Sequence, residues 1–202
     1  MFKTSNLSFR VIISLIVLCL LTAGVTLAQR PKSPRTSAST QIGDAWIDVS
    51  YSSPILRGRT GIFGSGAEYG TKIYAGADVW RAGADVTTRI TTEADLMIGD
   101  SKVPAGEYSF FIELKEGGWT GIISKQPHMD AFDRAKMAEG ITWGAYGYDP
   151  KHDVARAPMA VTPAPQIIDN LIIGFGGVTA EGGNLFVVWD NQVGALPFTV
   201  AK

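Results

Sequence analysis

The chain has almost no thiol chemistry to offer. Cys19 is its one cysteine, and it lies in an apolar run that reads as part of an export signal. A single cysteine closes no internal disulfide and builds no cysteine-ligated metal site. Histidine is nearly as scarce: His128 and His152 are the only two, which excludes a three-histidine zinc centre. There is no basic excess either, with 18 Lys and Arg against 19 Asp and Glu. A nucleic-acid binder normally carries a basic excess or stripe, so that class is set aside. No G-x-S-x-G elbow, no Gly-Lys-Ser/Thr phosphate loop and no internal repeat occurs in the sequence.

The one long apolar run is at the N-terminus. Lys3 and Arg10 precede VIISLIVLCLL at residues 11–21, and small residues follow, with Thr26 and Ala28 at the −3 and −1 positions before Gln29. Basic, apolar and small-residue parts in that order make a signal peptide over residues 1–28. Counted from Val11 to Leu27 the segment has 17 residues, at the lower edge of what spans a bilayer. Leu18 precedes Cys19, where a lipidated cysteine would need a small residue. Cleavage removes the cysteine and both basic residues, leaving 16 basic against 19 acidic residues in 174. The expectation is a mildly acidic exported protein, periplasmic or secreted, without stable membrane insertion after cleavage and without a disulfide. Its oligomeric state is not encoded in any pattern we read.

Residues 29–40 (QRPKSPRTSAST) read as an extended N-terminal tether or a first edge segment. Beyond them the punctuation is that of one β domain over residues 41–202. AWIDVSY at 45–51 alternates, placing Ile47, Val49 and Tyr51 on one face behind a Gly43-Asp44 hairpin turn. Further strands are predicted at 86–92, 94–98, 107–114, 119–124, 167–175, 185–189 and 194–200, separated by Gly-, Asp- and Asn-containing turns. Residues 129–139 (MDAFDRAKMAE) carry helical spacing and stop at Gly140. The expected fold is all-β and sandwich-like with one short helix, a jelly-roll or barrel-like variant being the alternative.

Three stretches carry a resemblance. They are VSYSSP at 49–54 with LRGR at 56–59 and IFG at 62–64, VWRAGA at 79–84 with Thr87-Thr88, and VPAGEYS at 103–109 with WGAY at 143–146 and YDPK at 148–151. In this order the chain resembles the domain of unknown function 2911 family of exported bacterial proteins, across roughly residues 31–200. The resemblance implies a periplasmic or surface-exposed β-sandwich-like domain and supplies no activity.

Candidate sites are few. Trp80-Arg81-Ala82-Gly83-Ala84-Asp85 places a guanidinium beside an indole, a pair that clamps an anion while the ring walls a sugar or apolar body. Arg57 and Arg59 join this face if the glycine-rich loop at 58–70 folds back as a pocket rim. Trp143 and Tyr146, separated by Gly144 and Ala145, are the rings best placed to expose their faces. The competing structural account has Trp80 filling the core and Arg81 paired with Asp78 or Asp85. His128 with Asp130 and Asp133, and His152 with Asp149 and Asp153, supply too few ligands at metal spacing, so neither metal nor cofactor is expected. The leading expectation is a non-enzymatic binding or envelope-associated module for a small anionic or glycan-like ligand. The rivals are a hydrolase working through His128 or His152 with a nearby aspartate, and a purely structural domain.

Overall fold

The computed structural model of the protein describes residues 33–201. The export signal expected at residues 1–28 lies outside them. Within the predicted tether, Arg35–Ile42 is strand β1, so residues 35–40 belong to the domain. β1 pairs residue for residue with β2 (Ala45–Ser52) across the Gly43-Asp44 turn, Ile42 facing Ala45. Gly43 takes a φ of 59° there, the left-handed conformation a two-residue hairpin needs. β1 is an edge strand, and its Ser/Thr-rich sequence hydrogen-bonds sideways: Ser39 donates to Asp48 and Arg35 Nη2 to Ser50 Oγ at 3.2 Å.

Seven further strands follow: β3 (Thr88–Thr92), β4 (Leu96–Ile98), β5 (Ser101–Val103), β6 (Gly106–Lys115), β7 (Gly118–Ser124), β8 (Asp153–Thr179) and β9 (Gly182–Val200). All pair antiparallel in one open sheet of order β1-β2-β3-β6-β7-β8-β9-β4-β5. The fold class is all-β, as expected. β8 was predicted only over 167–175, yet it starts at Asp153. Its first stretch pairs with β7 as far as Met159, and from Ala160 it pairs with β9 instead. Pro158, Pro163 and Pro165 lie in this part of the strand. Proline argues against strand, but the register breaks between Pro163 and Ile168, where an unpaired N–H is no loss.

By changing partner, β8 folds the sheet over into two layers. Leu196 of β9 lies against Gly121 of β7, where a Cβ would meet its Cδ2 at 2.8 Å, and Trp119 of β7 fills the space beside Gly194. The Tyr51 hydroxyl of β2 accepts the Ile173 N–H of β8 at 2.9 Å. Between the layers Trp80, 1% exposed, meets Phe63, Trp119 and Trp189 at centroid distances of 6.2, 6.2 and 6.1 Å. The Trp80 backbone exchanges both hydrogen bonds with Ile112 of β6 at 2.8 Å. This fixes the start of the Trp-Arg segment against the sheet.

The predicted helix at 129–139 is shorter than expected. Only Arg134–Ala138 (α2, after a single turn α1 at Thr71–Tyr74) is helical, because Asp133 caps it by accepting from Ala135 N–H and Lys136 N–H. Upstream, the Met129 N–H is committed to the Thr142 carbonyl at 3.0 Å.

Candidate functional site

A cleft of about 640 Å³ opens where the glycine-rich loop, α1, the Trp80–Asp85 segment and the bend of β9 meet. Pro54, Ile62, Ile73, Trp80 and Trp189 form its apolar wall; Arg59, Lys72, Arg81 and Asp85 bring charge to it. The loop at 58–70 does serve as a rim, contributing Gly58, Arg59, Thr60 and Ile62. The placement of its first half follows from two anchors. The Leu56 N–H bonds the Asp169 carbonyl of β8 at 2.8 Å, and the Ile62 N–H bonds Asp190 Oδ2 of β9 at 3.1 Å.

The three cations are not neutralised by acids. Arg59 spends Nε on the Leu56 carbonyl and Nη2 on the Ile55 carbonyl, both at 2.9 Å. Arg81 gives Nη1 to the Asp85 carbonyl at 2.9 Å. Neither they nor Lys72 forms an ion pair with a carboxylate among the described residues. A carbonyl oxygen orients a guanidinium without cancelling its charge, so the cleft keeps a positive excess over the single Asp85. Arg81 is only 9% exposed, and a charge so far from water is costly without compensation. Part of that compensation is aromatic: the Arg81 guanidinium carbon lies 5.0 Å from the Tyr146 ring centroid and 5.8 Å from that of Trp143.

The backbone around the cleft is strained. Five non-glycine residues among those described have φ in the left-handed region: Arg57 (53°), Ala75 (51°), Ala82 (48°), Asp85 (59°) and Asp190 (51°). Ala75 and Asp85 line the cleft, and each of the others is next in sequence to a lining residue. Each such residue costs on the order of 1 kcal/mol or more, and such strain gathers at sites whose geometry is held for a purpose. Trp143, Gly144 and Tyr146 sit behind Arg81 and are not part of the cleft wall. Gly144 has a φ of 64°, and a Cβ there would run into the Arg81 guanidinium and the Asp85 carbonyl. The Tyr146 hydroxyl reaches over to donate to the Ala75 carbonyl at 2.8 Å, tying this backing to the cleft rim.

The candidates named from sequence thus separate into layers. Trp80, Arg81 and Arg59 line the cleft; Trp143 and Tyr146 back Arg81; Arg57 stands beside Gly58, its N–H bonded to Asp169 Oδ1 at 3.1 Å. Trp80 also fills the core, as the structural account held, but Arg81 is held by the backbone of Asp85 and, among the described residues, by no carboxylate. Lys72, Trp189 and the strained Asp190 were missed, since nothing near them in sequence ties them to the Trp-Arg segment.

A family model described as Protein of unknown function (DUF2911) matches residues 33–198. The chain belongs to that family. No curated protein and no solved structure matches it.

Two other polar sites of this DUF2911 domain bear on the hydrolase reading. His128 lines a 310 Å³ pocket with Glu107 and Ser109. Its Nδ1 is 3.2 Å from Ser109 Oγ and its Nε2 is 3.6 Å from Glu107 Oε1. The Ser109 hydroxyl also lies 3.0 Å from the Gln126 carbonyl, which can only accept, so the carbonyl competes with His128 for the hydroxyl proton. Ser109 is 1% exposed. Burial first, then the Arg89 guanidinium, holds the His128 pKa below its ordinary value against Glu107 and Asp130. His152 closes the turn Pro150–His152, which Asp149 caps.

The second site is a network on the face of β6 and β8. Tyr148 donates to Asp153 Oδ2 at 2.6 Å, while Arg156 bridges Asp153, Tyr148 and Glu113. Burial and the Asp153 carboxylate push the Tyr148 pKa well up, so this phenol stays protonated. Asp153 Oδ1 is buried without a partner among the described residues. Among the described residues no group of three His, Cys, Asp or Glu side chains converges on a metal position.

Proposed function

We propose that this DUF2911 domain is an exported, non-enzymatic binding module that holds a small anionic ligand in the Arg59–Lys72–Arg81 cleft. The observation that carries the reading is Arg81. It is a nearly buried guanidinium, oriented by one carbonyl and two ring faces, with its charge left uncancelled at the wall of a cleft of ligand size. The strained backbone around it supports a role beyond folding. Export is supported by the basic, apolar and small-residue pattern of residues 1–28. Against the hydrolase reading, Ser109 beside His128 is 1% exposed and its hydroxyl also bonds the Gln126 carbonyl.

A thermal-shift screen of the signal-free protein tests this directly, using organic acids, sugar acids, inorganic phosphate and sulfate beside neutral sugars. A ligand present at about a hundred times its Kd adds roughly 2.7 kcal/mol to stability. That corresponds to about 5–10 °C in a domain of this size. We expect at least one anion to shift Tm in the wild type, to lose most of its effect in Arg81→Ala, and to weaken as salt rises. Equal shifts in wild type and Arg81→Ala would overturn the reading, as would the absence of a shift with every anion.

A further inference from the structure

We infer that the cleft selects a carboxylate carrying hydroxyl groups, a sugar acid in chemical class, over phosphate, sulfate or a neutral sugar. This rests on the anion reading above and goes further by naming the ligand's chemistry. Arg81 presents its donors in two edges. Nη1 is occupied by the Asp85 carbonyl, whereas the Nε–Nη2 edge has no partner among the described residues. Neither of those two nitrogens is among the buried polar atoms that lack a partner, which are Arg89 Nε and Asp153 Oδ1. That free edge is a two-donor fork that pairs two oxygens of a carboxylate or of a phosphate alike, so Arg81 supplies the anion contact and the choice between anions falls to the rest of the cleft. The guanidinium is also prevented from turning to suit another geometry. Trp143 and Tyr146 lie against it, and Gly144 packs so closely that no Cβ fits between them.

Asp85 decides what the rest of the ligand must carry. It lines the same cleft, and its carbonyl is the atom that holds Arg81. Its carboxylate is exposed and forms no ion pair among the described residues. An acid at that position repels a second anionic group and accepts hydrogen bonds from hydroxyls. A dianionic phosphate has a single hydroxyl to offer and leaves Asp85 poorly satisfied, whereas a carboxylate carrying several hydroxyl donors satisfies Arg81 and Asp85 together. An amino acid would also present a donor to Asp85, but its ammonium gains nothing from the excess of Arg59 and Lys72. The apolar wall of Ile62, Ile73 and Trp189 suits a ring face.

Calorimetric titration of the signal-free protein with D-glucuronate, D-glucose and inorganic phosphate separates these chemistries. We expect D-glucuronate to bind at least about tenfold more tightly than either of the others. Arg81→Lys, which keeps the charge but loses the fork, should weaken D-glucuronate by about tenfold or more and weaken any phosphate binding with it. Asp85→Asn should narrow the preference for D-glucuronate over phosphate. Far-ultraviolet circular dichroism and Tm confirm that each variant is folded. If phosphate binds as well as D-glucuronate, or Asp85→Asn leaves the preference between them unchanged, the sugar-acid assignment falls while anion binding stands. If none of the anions binds, the anion reading itself falls.

Discussion

At the scale of single residues, the site depends on what surrounds Arg81 as much as on Arg81. Gly144 shows this most plainly, because its φ of 64° and the guanidinium at its Cα leave a side chain neither conformation nor space. Gly144→Ala should therefore displace Arg81 and lower Tm, with a cost of about 1–3 kcal/mol from strain and overpacking. A denaturant melt beside an anion titration checks it; unchanged stability with unchanged binding would mean that the backing does not position the guanidinium. The Trp80-Arg81 pair and the Trp143–Tyr146 rings could be picked from sequence, because a guanidinium adjacent to an indole and two rings spaced by Gly144 and Ala145 are local patterns. Lys72 and Asp190 could not. Lys72 is an ordinary surface residue until α1 brings it to the cleft, and the strain at Asp190 is a backbone property that no residue type announces.

Among the elements, the short strands were legible wherever alternation and a turn coincided. β2 is the clearest case, with Ile47, Val49 and Tyr51 all buried on one face and Gly43-Asp44 making the turn. β8 was not legible, since its three prolines mimic a loop and its change of partner from β7 to β9 is a tertiary event. Nor was the true length of α2, where Asp133 captures the first N–H groups and starts the helix late. The two-layer arrangement predicts that Leu196→Ala, which empties the space above Gly121, costs about 2–5 kcal/mol. A smaller loss in chemical denaturation, below about 1 kcal/mol, would mean that the layers are not held together there.

For the whole molecule, pH is the condition most easily varied. The His128 pKa is depressed in the folded state by burial and by Arg89, so the unfolded chain takes up the proton first. Its contribution to stability is therefore complete above about pH 6.5 and declines as pH falls below that value. Between pH 7.5 and 5, wild-type Tm should fall more steeply than that of His128→Gln. Parallel curves would show that His128 does not titrate on unfolding. The cleft's positive excess stands out against a chain whose overall charge is −1, so long-range attraction is not what brings an anion to Arg81; local geometry must do it. The most direct measurement is the side-chain Nε–H resonance of Arg81 in a ¹H–¹⁵N NMR spectrum, assigned by its disappearance in Arg81→Lys. Titration with D-glucuronate or inorganic phosphate is predicted to move that resonance saturably, with at least one of them acting at millimolar concentration or below. A resonance that stays fixed with both, in protein shown to be folded, would contradict the account.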